Sequence, residues 1–88
     1  MKDRKEALAA IKEDPHAIEH VDESLLNDRE FVLAAVKQNG WSLDYADESL
    51  QKDREIVLAA VREYRDALRY ASEELQNDPE LKKLAKWL

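Results

Sequence analysis

His16, His20 and Glu23 fall at i, i+4 and i+7. On one continuous α-helix that spacing would put two imidazoles and a carboxylate on one face, the beginning of a Zn²⁺ site. A second reading competes with it. In the 25-residue repeat of this chain, His16 occupies the position of Trp41, and His20 that of Tyr45 and Tyr70, so both read as half-buried aromatic fillers. Asp22 reads as a helix cap that ends the helix before Glu23. A metal site needs three or four convergent ligands. Metal binding through His16 and His20 is therefore the remote alternative, and no metal or cofactor is expected.

Other chemistry is thinner still. Carboxylates adjoin at Asp47-Glu48 and Glu73-Glu74, the raw material of acid–base catalysis, but no pocket-forming context accompanies them and they read as caps or solvated faces. Ser24, Ser42, Ser49 and Ser72 pair with no positioned His in any recognisable motif and read as cap or surface residues. There is no Cys, which removes thiol nucleophiles, thiolate metal sites and disulfides. A single Gly excludes a glycine-rich phosphate loop. No catalytic residue is expected.

The more useful candidates are aromatic. Trp41, Tyr64 and His16 lie at or near the junction between a long and a short helix, with Arg65 beside them. These positions vary between copies while apolar positions hold. In repeat stacks, variable positions along one edge commonly form the binding surface, and Trp, Tyr and Arg anchor protein interfaces. The other reading is that they cover the edge of the core. Trp87 reads either as packing on the preceding helix or as an exposed patch.

The elements that position these residues follow from the repeat. Asp-Arg recurs at Asp3-Arg4, Asp28-Arg29 and Asp53-Arg54, and Asp78-Pro79 follows at the same interval of 25. The copies are 3–27, 28–52 and 53–77, with a half copy at 78–88. Each opening Asp reads as an N-cap, with Glu30, Glu55 or Glu80 in the first turn where negative charge suits the helix dipole. Pro79 at the first helical position fits the same pattern. The long helices run to about Glu13, Asn39 and Glu63, and Gly40 reads as a C-terminal glycine. Phe31 to Val36 and Ile56 to Val61 are apolar on every side and so require burial all round. Ala10, Ala35, Ala60 and Ala85 share one repeat position, which predicts close helix–helix approach.

A shorter helix follows near 15–21, 41–46 and 65–71, turning Ile18, Leu43 and Leu68 inward. Asp22, Asp47 or Ser72 then caps a single turn that buries Leu25, Leu50 or Leu75. In the last helix Lys82, Lys83 and Lys86 replace Val57, Leu58 and Val61, leaving Leu81, Leu84, Ala85 and Leu88 on one face. At the front, Glu6 and Ala7 replace Phe31 and Val32. Charged outer faces at both ends predict a finished, capped unit.

Composition agrees with helices: 39% charged residues, 44% apolar, one Gly and two Pro. Eighty-eight residues make one domain with a modest core. The net charge of −6 opposes nucleic-acid phosphates and anionic membrane surfaces. No stretch is long enough to span a membrane, and the N-terminus lacks the apolar core of a signal peptide. A soluble protein is expected, cytoplasmic if natural.

The segment 28–50, Asp-Arg-Glu-Phe-Val-Leu-Ala-Ala-Val-Lys-Gln-Asn-Gly-Trp-Ser-Leu-Asp-Tyr-Ala-Asp-Glu-Ser-Leu, resembles a family of tandem α-helical repeats catalogued as a domain of unknown function. The resemblance covers nearly the whole chain and is most specific in copies two and three. It implies an α-helical repeat fold and carries no catalytic residues. Copy one departs from it over Asp14 to Val21, and copy three at Tyr64-Arg65-Asp66.

The expected fold is all-α: a short, right-handed, α-solenoid-like stack of three and a half repeats in one domain. The expected function is a non-enzymatic protein-interaction or scaffolding module with a protein partner. A purely structural or designed repeat scaffold without a ligand is the alternative.

Overall fold

A computed structural model describes residues 2–87, with the side chain of Trp87 excepted. The expectations for Leu88 and for the packing of Trp87 lie outside the described residues. Among the described residues every regular element is helical. The long helices are α1 (Arg4–Glu13), α3 (Arg29–Gln38), α5 (Arg54–Glu63) and α7 (Pro79–Trp87). Single-turn helices α2 (Glu23–Leu26), α4 (Glu48–Gln51) and α6 (Glu73–Gln76) link the repeats. Between each long helix and its single turn lies a 3-10 helix: η1 (Pro15–His20), η2 (Gly40–Tyr45) and η3 (Arg65–Tyr70).

The capping chemistry explains the starts. The Asp3 carboxylate accepts from Glu6 N–H, and Asp28 and Asp53 each accept from two N–H groups of the first turn. Asp78 does the same for α7 through Glu80 and Leu81 N–H. Asp22, Asp47 and Ser72 cap the single turns as expected.

The ends of the long helices are a finding of the structure. One extended residue (Asp14, Asn39 or Tyr64, φ −146, −156 and −152°) is both the last cap of the long helix and the first cap of the 3-10 helix. Its N–H closes the long helix on Ala10, Ala35 or Ala60 C=O at 2.9 Å, and its own C=O accepts the first 3-10 bond. The chain turns at a single residue with its backbone groups satisfied.

Gly40 is therefore not a left-handed terminator: the described glycine has no positive φ. It begins η2, buried against the end of α5. A Cβ there would stand 2.3 Å from Ala60 O and 2.9 Å from Tyr64 Cβ. Gly is required by close approach, not by backbone conformation.

The long helices pack side by side in one row, α1–α3–α5–α7, and the 3-10 helices in a second row, η1–η2–η3, laid against it. The core lies between the rows. Phe31, Val32, Ala35 and Val36 are buried, as are Ile56, Val57, Ala60 and Val61. Leu33 and Ala34, and Leu58 and Ala59, are only half-buried. Burial all round, expected for the two middle helices, is thus corrected: each touches its neighbours and the 3-10 row, and the remaining side is open. The shared Ala is fully buried at 35 and 60 and half-buried at 10 and 85. The Cα radius of gyration is 12.1 Å, about that of a compact globule of this length.

Candidate interaction surface

The 3-10 row carries the candidate residues. Two faces of each 3-10 helix are set by repeat position. Ile18 and Leu43 are buried, while the equivalent Leu68 is half-buried because no further 3-10 helix follows η3 among the described residues. Ser42 and Ala67 are buried, while the equivalent Ala17 at the first 3-10 helix is only half-covered. Ser42 was expected on the surface or in a cap. It instead fills a slot that the other copies give to Ala, and its hydroxyl has no protein partner.

The structure brings the His16 and Trp41 rings together, sets Tyr64 Cβ beside Gly40, and places Arg65 at the open end of the row. His16 meets the Trp41 ring edge-on, with centroids 5.1 Å apart. Trp41 meets Tyr45 in the same way at 5.3 Å. The Tyr45 hydroxyl donates to Glu19 at 3.1 Å. Partial desolvation, then Glu19, holds the phenol above its ordinary pKa. Edge-to-face ring pairs of this kind stabilise packing, and Trp41 is half-buried against the core. Trp41 therefore packs on the edge of the core, whereas His16 and His20, expected to be half-buried fillers, are both exposed because no 3-10 helix precedes η1 among the described residues.

Tyr64 differs. Among the described residues it is the large apolar side chain that stands exposed, at 38%. It also gives up a hydrogen bond. Asp14 caps η1 through His16 N–H and Asn39 caps η2 through Trp41 N–H, but Tyr64 makes no side-chain cap to η3. Arg65, next to it, lines a groove at the open end of the 3-10 row, between η3 and α7.

The metal alternative meets a geometric obstacle. In a 3-10 helix side chains align at i and i+3, so His16 and His20 are turned about 120° apart, and Glu23 lies beyond the Asp22 cap on α2. No group of three or more His, Cys, Asp or Glu placed to hold a metal occurs among the described residues. Of the adjoining carboxylates, Glu48, Glu73 and Glu74 are exposed and Asp47 serves as a cap. Asp47 accepts from Ser49 Oγ at 2.6 Å and Ser49 N–H at 3.0 Å, and these bonds hold its pKa below the usual carboxylate range. Ser24 and Asp22 form the same pair.

One set of residues was missed by reasoning from sequence. Arg29 reaches into the next repeat and donates to both Asp53 (2.6 Å) and Glu55. Arg54 does the same with Asp78 (3.2 Å) and Glu80 (2.6 Å), and Arg4 with Asp28 and Glu30. Each Arg thus binds the N-cap carboxylate and first-turn Glu of the following long helix. The Arg29 side chain is the first cause of the lowered pKa of Asp53, and Arg54 that of Asp78; for Asp28 the Phe31 N–H comes first and Arg4 follows. The signal was present: Arg recurs at one repeat position and gives way to Pro79 in the last copy. Two backbone bonds follow the same register, Asp47 N–H to Leu26 C=O and Ser72 N–H to Gln51 C=O, both 3.0 Å.

Among the described residues no helix is long and apolar enough to cross a membrane. In comparisons with known proteins, no curated protein and no solved structure matches the chain. One family does, a domain of unknown function, DUF4116, over residues 3–51, 35–76 and 53–85. The three matches overlap and together cover nearly all of the chain. With its capped helices stacked at a 25-residue interval, the chain belongs to the DUF4116 family.

Proposed function

We propose that the chain is a non-enzymatic repeat module that presents its 3-10 row to a protein partner. The observation that carries this reading is Tyr64. An N-cap contributes about 1 kcal/mol to a helix, and here the third copy forgoes it for an aromatic ring left 38% exposed. A residue that gives up a cap bond and stays partly exposed is accounted for by contact with something outside the chain. Tyr is also among the commonest anchors of protein interfaces. Protein is the partner class because the net charge of −6 opposes nucleic acid and anionic membrane. The absence of a catalytic role is supported by how the reactive groups are used: the Asp47 and Asp22 carboxylates and the Ser49 and Ser24 hydroxyls are engaged as caps.

A structural scaffold without a ligand is the second reading. It is favoured by Trp41, whose ring is held between His16 and Tyr45. Affinity capture followed by mass spectrometry, run in parallel with the intact chain, Tyr64→Ala and Trp41→Ala, separates the two. The interaction reading expects Tyr64→Ala to lose a captured protein while its melt stays near that of the parent. If Tyr64→Ala captures the same proteins in the same amounts, the reading fails.

A further inference from the structure

The open end of the 3-10 row forms a groove of about 510 Å³ between η3 and α7. Its shape follows from the repeat. Within the stack, η3 covers η2 and α5, and the residues Leu43, Val57, Ala60 and Val61 are all fully buried. One repeat later the equivalent residues are Leu68, Lys82, Ala85 and Lys86, and these line the groove. The groove is thus the seat of a 3-10 helix, one helical segment in size, with no such helix in it among the described residues.

Its chemistry has changed. Leu68 and Ala85 keep an apolar floor. Two valines have become lysines, and Arg65 and Arg69 add guanidinium groups along η3, against the single carboxylate of Asp66. Among the described residues Arg65, Arg69 and Lys82 enter no ion pair. Burying such cations under an apolar repeat segment would cost far more than it returned. A segment that supplies carboxylates to the rim and one apolar side chain to the floor satisfies both parts.

We propose that this groove binds a short acidic segment of a partner protein, folded as a helical turn, with an apolar residue placed on Leu68 and Ala85 between Asp or Glu side chains that pair with Arg65, Arg69 and Lys82. The proposal rests on the interaction reading above and names the partner's chemistry. A second copy of the chain does not fit. Each of its 3-10 helices is joined to a long helix by one residue, and with a 3-10 helix in this seat that long helix would fall on α7. None of the described residues lining the groove is aromatic, so a nucleic-acid strand finds no ring there on which to stack its bases.

The test uses a fluorescein-labelled peptide rich in Asp and Glu around a single Leu, its Asn- and Gln-substituted counterpart, and a single-stranded DNA of equal charge. Fluorescence anisotropy measures affinity, and amide shifts in a ¹⁵N spectrum locate the site. The acidic peptide is expected to move amides in 65–69 and 82–86. Its affinity should fall roughly tenfold or more in Arg65→Glu/Lys82→Glu and in Leu68→Ser, while Lys37→Glu on α3 has little effect. Where the melt shows that a charge reversal unfolds the chain, Arg65→Gln/Lys82→Gln takes its place. Three results each overturn the proposal: no binding, shifts centred outside the groove, or DNA binding as tight as peptide binding. Tyr64 is not part of the groove lining, so failure here leaves the Tyr64→Ala capture result standing, and the reverse also holds.

Discussion

Replacing Gly40 with Ala tests the packing of the 3-10 row on the long helices. In most helical settings Gly→Ala stabilises by about 0.5–1 kcal/mol, because Ala loses less conformational entropy on folding. Here the added methyl would meet a backbone oxygen, Ala60 O, at 2.3 Å and Tyr64 Cβ at 2.9 Å. A carbon–oxygen contact needs roughly 3.2–3.5 Å, so η2 and the end of α5 must separate by about 1 Å. The oxygen cannot yield alone, because it accepts the Tyr64 N–H that closes α5. Overpacking of this kind costs about 1–3 kcal/mol or more, which outweighs the entropic gain. The expected net loss is about 2 kcal/mol, or a fall in Tm of about 8–16 °C for a domain of this size. Thermal and urea unfolding followed by circular dichroism measure it. Gly40→Asn sharpens the result. A left-handed glycine would tolerate Asn with little loss, whereas close approach makes Asn at least as harmful as Ala. An unchanged or raised Tm for Gly40→Ala, or a neutral Gly40→Asn beside a damaging Ala, would refute the close-approach account.

Other perturbations follow from the same geometry. Ser42→Ala removes a buried hydroxyl without a protein partner and restores the Ala of the other copies, so stability should rise by about 1 kcal/mol; a fall would show that the hydroxyl is satisfied. Arg29→Ala removes the first cause of the lowered Asp53 pKa. A depressed carboxyl contributes stability that is complete above its unfolded pKa of about 3.9 and is lost as pH falls through the folded value. The variant should therefore lose stability at neutral pH and show a shallower decline below about pH 4; melts that stay parallel to the parent's across this range would contradict the pairing. Ile56→Ala, at a fully buried core position, should cost about 2–5 kcal/mol in urea unfolding, and a cost near zero would contradict its place in the core.

Some of the architecture was legible because it depends on local chemistry. The Asp caps, the first-turn Glu residues and the apolar runs act within a single turn, so their spacing is enough to place the helix starts at Asp3, Asp28, Asp53 and Asp78. Other parts were not legible because they depend on a neighbour 25 residues away. Nothing near His16 distinguishes a 3-10 helix from an α-helix; the choice follows from packing one short segment on the next, and it decides whether His16 and His20 share a face. Ser42 resembles a surface serine until η1 and η3 flank it. Leu33 and Leu58 look as buried as Val32 and Val57 until the row of long helices leaves one side open.

The sequence by itself determined the period, the capped starts of the helices and the all-α class, since each is a matter of which side chain lies a few residues from which backbone group. The tertiary structure alone decided why residue 40 must be Gly, what Arg4, Arg29 and Arg54 hold, and which aromatic residues are covered. Trp41 and Tyr64 are both aromatic and both sit at a helix junction. Only the stacking of η1 on η2 brings the His16 ring onto Trp41, while Tyr64 stays exposed and the groove beyond η3 is lined with cations. Burial and charge environment belong to the assembled stack, and a single repeat does not contain them.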